Sequence, residues 1–116
     1  MLLRNDIEGR NALKKIVLDF YESREIFVRN FLNSEDKEWG WFDAHFLIDR
    51  KFVFKYGIGM DRGTWLGGIS LAIGPHYFSP SDFWSYEDSK KFKVEPDKEA
   101  IEHNLRMLNK FLGLEA

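Results

Sequence analysis

The sequence contains no cysteine, no long apolar run and no excess of either charge. Without cysteine, none of the 116 residues can form a disulfide, bind zinc through a thiolate or act as a thiol nucleophile. No stretch of 18 apolar residues is present, so we expect no transmembrane helix. The first residues also lack the apolar segment of a signal peptide. We therefore expect a cytoplasmic protein that does not contact a membrane.

The charge balance argues against a nucleic-acid partner. The chain has 17 basic and 19 acidic residues, and its only local basic excess is at residues 90–93. Proteins that bind nucleic acids need a basic patch to neutralise phosphates. No glycine-rich phosphate-binding motif is present either, so we expect no cofactor. A net charge of −2 with 44% apolar residues also argues against disorder.

Aromatic residues, in contrast, are abundant. The chain has 11 phenylalanines, 4 tryptophans and 4 tyrosines. Each ring can bury about 150–250 Å², which together is more than a small core obviously needs. The length predicts a single domain over residues 1–116.

The spacing of apolar residues predicts a long first helix. Apolar side chains recur every three or four residues over 7–33, ending with Phe27 and Phe31. A helix of this length is expected to break, if anywhere, near Ser23. The polar stretch 33–37 then ends it.

Alternating apolar and polar residues predict three strands after this helix. A turn at 49–51 would pair Phe46 with Phe54 and place even-numbered residues of both strands on one face. A three-residue loop at 61–63, with a bulge at Gly63, would shift the parity of the third strand by one.

The rest of the chain is a long connection and a last helix. The connection, residues 75–96, is rich in rings, and Phe92 and Val94 suggest a fourth strand. The last helix opens at residues 96–97 and stops before Gly113. The predicted fold is α+β in the order α-β-β-β-(β)-α. Both helices pack on one face of a three- or four-stranded antiparallel sheet.

The opposite sheet face carries small residues beside a few large polar ones. We expect a shallow trough with a glycine floor (Gly57, Gly59, Gly68) and a side formed by Trp41, Asp43, His45 and Lys55. Small residues on a strand allow another group to approach the backbone closely. Two interpretations stay open: residues 75–96 fold over this trough, or a partner or ligand fills it.

The polar residues of this face give only a weak catalytic signal. Asp43 and His45 point to the same side of one strand and could form a hydrogen-bonded pair. A metal would need more ligands, and nothing in the spacing brings His76 or His103 to them, so we expect no metal. Ser70 could face His45, but no nucleophile-elbow pattern surrounds it.

A second candidate binding surface is the ring cluster of the long connection. Its rings are Tyr77, Phe78, Phe83, Trp84 and Tyr86, beside the acids Asp82, Glu87 and Asp88. Of these, we expect Tyr77, Phe78, Asp82, Trp84 and Tyr86 to contact a partner. Rings beside acids are typical of protein interfaces, although these rings could equally anchor the connection on the domain.

These features lead to three functional hypotheses. In size, mild acidity and lack of cysteine or catalytic motif, the chain resembles the small bacterial immunity proteins that inhibit a cognate toxin. The first hypothesis is therefore a non-enzymatic protein-binding module, an immunity or antitoxin-type inhibitor that occludes its partner with the trough and the ring cluster. The second is a small-ligand-binding domain or minor enzyme, with His45 as acid or base and Asp43 orienting it. The third is a homodimer that pairs its open sheet faces.

Overall fold

The structure, a computed structural model, describes residues 1–115 as a single α+β domain; Ala116, the last residue of the expected domain, lies outside the described residues. The elements in chain order are α1 (Ile7–Glu22), β1 (Val28–Asp36), β2 (Trp41–Ile48), β3 (Phe52–Asp61), β4 (Thr64–Ile73), β5 (His76–Phe78), α2 (Pro80–Phe83), α3 (Tyr86–Ser89) and α4 (Lys98–Leu112). The strands form one antiparallel sheet in the order of the sequence. The predicted fold class is confirmed, with two more strands than the minimum expected.

The first helix is shorter than the sequence predicted. The helix predicted over 7–33 ends at Glu22, and the expected break near Ser23 is confirmed. Glu25 adopts a left-handed backbone (φ 57°), which ends the helical path, and the chain then enters β1. Phe31 therefore lies at a bulge of an edge strand and not on a helix face.

The two central hairpins have the expected parity. Phe46 pairs with Phe54 across the β2–β3 hairpin, as predicted. The β3–β4 loop has two residues and no bulge, because Asp61 already pairs with Thr64. The loop residues between them both have positive φ (51° and 79°), as in the turns that suit two-residue hairpins. Such a turn also shifts the parity by one, so the predicted faces are right although the predicted bulge is wrong.

The connection after β4 contains a strand at a different place from the one predicted. Residues 92–94 form no strand; the additional strand is β5, which pairs with the end of β4. The chain then forms two one-turn helices and returns to α4, where Asn104 bonds the backbone N–H and carbonyl of Lys93 (2.9 and 2.7 Å). The last helix begins after its N-cap Asp97 and ends at Gly113 in the left-handed conformation, as expected.

The hydrophobic core lies between the sheet and the two long helices. We call the sheet face that α1 and α4 cover the inner face and the opposite one the outer face. Phe46 and Phe54 are fully buried on the inner face, with ring centroids 5.3 Å apart in a stacked arrangement. The helices contribute Leu13, Val17, Phe20, Tyr21, Ile101, Leu105 and Leu108. Alternate residues of the same strands point to the outer face.

Candidate functional site

Strand pairing brings the predicted polar residues together on the outer face. Residues that pair directly across antiparallel strands point to the same side of the sheet. Two rows cross this face: Asp43, Gly57 and Gly68 in one, and His45, Lys55 and Ser70 in the next. The face assignment made from the sequence is therefore confirmed.

The glycine floor exists, and Trp41 lies across it. A Cβ added to Gly59 would come within 2.3 Å of Cδ2 of the indole, and one added to Gly68 within 3.3 Å of Cζ3. These two positions suit glycine because the ring rests on the backbone of β3 and β4. The trough is thus filled in part by the chain's own Trp41, which remains half-exposed.

The imidazole of His45 is held at both of its nitrogens. Nε2 lies 2.8 Å from Oγ of Ser34, and Nδ1 lies 2.9 Å from the hydroxyl of Tyr77. Burial lowers the pKa of His45, and nearby Lys55 lowers it further, although Asp43 opposes the shift. The ring is therefore neutral at neutral pH. One nitrogen donates and the other accepts, which hydroxyl partners can satisfy in either direction.

Asp43 and His45 do not form the hydrogen-bonded pair that the sequence left open. Both imidazole nitrogens are already engaged, and the Asp43 carboxylate faces Lys55, with Oδ2 4.0 Å from Nζ. Burial raises the pKa of Asp43, and the proximity of Asp36 acts in the same direction, against Lys55 and His45. The Lys55 ammonium lies 4.9 Å from the ring centroid of Tyr77, close enough for a cation–π contact.

Three rings contact one another in turn on the outer face, and we call them the ring row: Phe31, His45 and Tyr77. The centroids of Phe31 and His45 are 6.1 Å apart and those of His45 and Tyr77 5.4 Å, both edge to face. The imidazole is only 6% exposed, whereas Phe31 is 41%, Tyr77 38% and neighbouring Leu32 50% exposed. Exposed apolar surface therefore flanks a buried polar centre.

Sequence reasoning missed the contribution of β1 to this site. Phe31, Leu32 and Ser34 were assigned to a helix or to the polar stretch after it. The bulge between Asn30 and Leu32 disturbs the strict alternation that would have marked a strand. Residues 33–36 are all polar, so they give no apolar–polar alternation that would have marked a strand.

A cleft of about 370 Å³ opens beside the ring row. Its sheet side includes Asp36, Trp41, Asp43, Lys55 and Ser70, and its other wall includes Ser79, Pro80 and Phe92. The connection after β4 therefore borders the trough. The connection borders the trough without covering it fully, and the interpretation that a partner or ligand fills the trough stays a prediction.

The ring cluster of the connection does not form one surface. Of its members only Tyr77 joins the outer face. Phe78 points to the inner face, and the carboxylate of Asp82 caps α2. Trp84 is 7% exposed and belongs to the core, as expected of a ring that anchors the connection on the domain; its contact with a partner stays a prediction. Tyr86 is 73% exposed on α3, with Nζ of Lys90 over its ring.

Within residues 1–115, no group of three or more histidine, aspartate or glutamate side chains is arranged to hold a metal ion. His103 contacts the carbonyl oxygen of Lys91 at 2.8 Å, and His76 lies exposed at the start of β5. The histidines therefore serve three separate parts of the fold.

None of the helices in the described part of the chain combines the length and the apolar character needed to cross a bilayer. Comparison of the chain with protein-family models, curated proteins and solved structures found no match.

Proposed function

We propose that this chain is a non-enzymatic protein-binding module and that the outer face is its binding surface. The observation that supports this best is the ring row, with exposed Phe31, Leu32 and Tyr77 around buried His45. Aromatic anchors beside polar groups are typical of interface hot spots. Apolar patches with a polar rim mark interaction sites on folded proteins.

We further propose that the module inhibits its partner by occlusion, as small bacterial immunity proteins do. Strands hold the ring row, and hydrogen bonds fix His45 to both Ser34 and Tyr77, so the surface is ordered before binding. A preorganised surface loses less conformational entropy on association. Asp36 and Asp43 would face basic groups of the partner, which favours correct orientation. A chain without cysteine suits the reducing cytoplasm, where we propose that this inhibition takes place.

Partner capture with matched variants tests this proposal. The double variant Phe31→Ala/Leu32→Ser removes exposed apolar area from the outer face. The control Ile7→Ser removes a side chain that is 78% exposed on α1, a helix of the inner face. A protein that binds the wild type and the control should bind the double variant at least about tenfold more weakly, since central apolar anchors commonly account for that much affinity. Equal binding by all three would contradict the proposal.

The cleft favours a second candidate function, a small-ligand-binding domain. With both nitrogens of His45 engaged, Trp41, Asp43 and Lys55 would bind the ligand and imidazole chemistry would not take part. A ligand that raises the thermal unfolding temperature of the wild type but not of Asp43→Asn would favour this candidate. Sedimentation velocity of the isolated protein tests the homodimer hypothesis, because a dimer would sediment faster as the concentration rises.

A further inference from the structure

The cleft on the outer face has more negative than positive charge. It contains the carboxylates of Asp36 and Asp43 against the single ammonium of Lys55. In the part of the chain that the structure describes, the Asp43 carboxylate has one charged partner within 4 Å, the Lys55 ammonium at 4.0 Å. The Asp43 side chain is 20% exposed at the cleft, so a group that enters the cleft can reach it. A cationic donor there would offset the excess negative charge and give the carboxylate a hydrogen-bond partner.

The Asp36 carboxylate is held in place while one of its oxygens stays available. Its Oδ1 accepts from the backbone N–H groups of Glu38 (3.1 Å) and Trp39 (3.3 Å) in the β1–β2 turn. The side chain is otherwise exposed, so Oδ2 can meet an incoming group. Two carboxylates on neighbouring strands thus border the same cleft, one fixed by the turn and one half-buried.

The aromatic walls of the cleft narrow the choice of cation. Trp41 lies across the glycine floor and Phe92 lines the opposite wall. A guanidinium is planar, is weakly hydrated, stacks on aromatic rings and donates two parallel hydrogen bonds to a carboxylate. An ammonium ion offers neither the plane nor the paired donors. A volume of about 370 Å³ is at the small end for ligand pockets, which suits one long side chain.

We propose that the cleft is a subsite for an arginine side chain of the partner protein. The guanidinium stacks against Trp41, pairs with Asp43 and reaches Asp36 at the exposed side. This inference rests on the proposed function only in assigning the arginine to a protein. The cleft itself recognises the guanidinium whatever carries it.

The probe for this subsite is N-acetyl-L-arginine N-methylamide, followed by the indole N–H of Trp41 in a two-dimensional NMR titration. We expect saturable shifts with a Kd on the order of 1 mM, as is usual for so small a ligand. The citrulline equivalent, which keeps the shape but not the charge, should bind at least about fivefold more weakly, because it loses the charge-assisted hydrogen bonds.

Matched variants identify the carboxylates. Asp43→Asn should weaken the arginine probe at least about fivefold, since it removes one charged acceptor. Asp36→Asn should weaken it less. Glu38→Gln makes the same charge change at an exposed neighbouring position and should leave the affinity unchanged. The thermal unfolding transition of each variant confirms that it is folded at the titration temperature.

Several results would overturn the subsite. One is that the arginine probe causes no saturable shift at about ten times the expected Kd. Another is that the arginine and citrulline probes bind with equal affinity. A third is that both aspartate variants keep the affinity of the wild type. A partner whose binding depends on Phe31 and Leu32 but not on Asp43 would also overturn it and leave the proposed function intact. Selective binding of the arginine probe by a protein that captures no partner would support the subsite and contradict the proposed function.

Discussion

The two faces of the sheet use alternate residues of the same strands for different purposes. On the inner face, Phe46 and Phe54 are fully buried and stacked. One residue away, His45 and Lys55 point to the outer face. His45 bonds the Ser34 hydroxyl, and the Lys55 ammonium lies over the ring of Tyr77 and 4.0 Å from the Asp43 carboxylate. The inner face removes apolar area from water, which is the main source of folding stability. The outer face contains charges that stabilise the fold little at this degree of exposure.

The shifted pKa values sharpen this contrast. Burial makes the charged form of Asp43 and the charged form of His45 less favourable, so the ionisation of either group opposes folding. A polar outer face is ordinary for an antiparallel sheet with one face on the core. Its role in binding is our proposal, and the variants below test it.

The largest expected effect is on the inner face. Phe54→Ala should lower the free energy of unfolding by about 3–5 kcal/mol, because it leaves a cavity beside Phe46. Phe31→Ala on the outer face should cost less than about 1 kcal/mol, since its ring is already 41% exposed. Urea denaturation measures both. Similar losses of unfolding free energy for the two variants would contradict the proposed difference between the two faces.

The next effect tests the packing of Trp41 on the glycine floor. Gly59→Ala should cost about 1–3 kcal/mol, because its Cβ would overlap the rigid indole ring. Gly68→Ala should cost less, since its Cβ would meet the ring at 3.3 Å.

A double-mutant cycle isolates this contact. In a Trp41→Ala background the penalty of Gly59→Ala should fall markedly, because the ring that it displaces is gone. The same penalty in both backgrounds, measured by urea denaturation, would show that the glycine is needed for another reason.

A smaller effect concerns the pH dependence of stability. The pKa of His45 is lowered in the folded protein from its ordinary value of 6.5. As the pH falls below 6.5, the unfolded chain binds this proton first, so stability should decrease until the lowered pKa is passed. His45→Gln should lack this component between pH 7 and 5, in thermal unfolding of the two proteins side by side. An identical pH profile would contradict the burial of a neutral imidazole.

The smallest expected effect is a gain in stability, whereas the phenylalanine and glycine variants above lose stability. Because the pKa of Asp43 is raised in the folded protein, its ionised form opposes folding at neutral pH, and this penalty disappears as the pH falls through the raised pKa. Asp43→Asn should therefore stabilise the protein at pH 7 by less than about 1 kcal/mol, the scale of partly exposed charges. The gain should shrink towards pH 4. A clear loss of stability at pH 7 would mean that the contact with Lys55 outweighs burial.

Local patterns predicted those parts of the fold that depend on neighbours in the sequence. The β2–β3 hairpin follows from strict alternation around a short turn, and α4 follows from its apolar stripe between Asp97 and Gly113. The β1 strand could not be predicted this way. The four-residue spacing of Phe27 and Phe31 fits a helix, and the left-handed Glu25 that ends α1 has no marker in its residue type.

The candidate site likewise has one part that local patterns predicted and one part that they did not. Trp41, Asp43, His45 and Lys55 lie on one hairpin, so parity alone placed them together. Ser34 and Tyr77 reach His45 from other strands, Tyr77 from 32 positions along the chain. No periodicity encodes contacts between separate elements, and so the sequence could not predict that His45 bonds Ser34 and Tyr77.

The most direct test of the outer face as the binding surface compares two tyrosines of the same connection. Tyr77 lies in the ring row, whereas Tyr86 is more exposed but lies on α3. For a captured partner, Tyr77→Ala should raise the Kd at least about tenfold, and Tyr86→Ala should leave it unchanged. A weakening by Tyr86→Ala that equals or exceeds that by Tyr77→Ala would contradict this account.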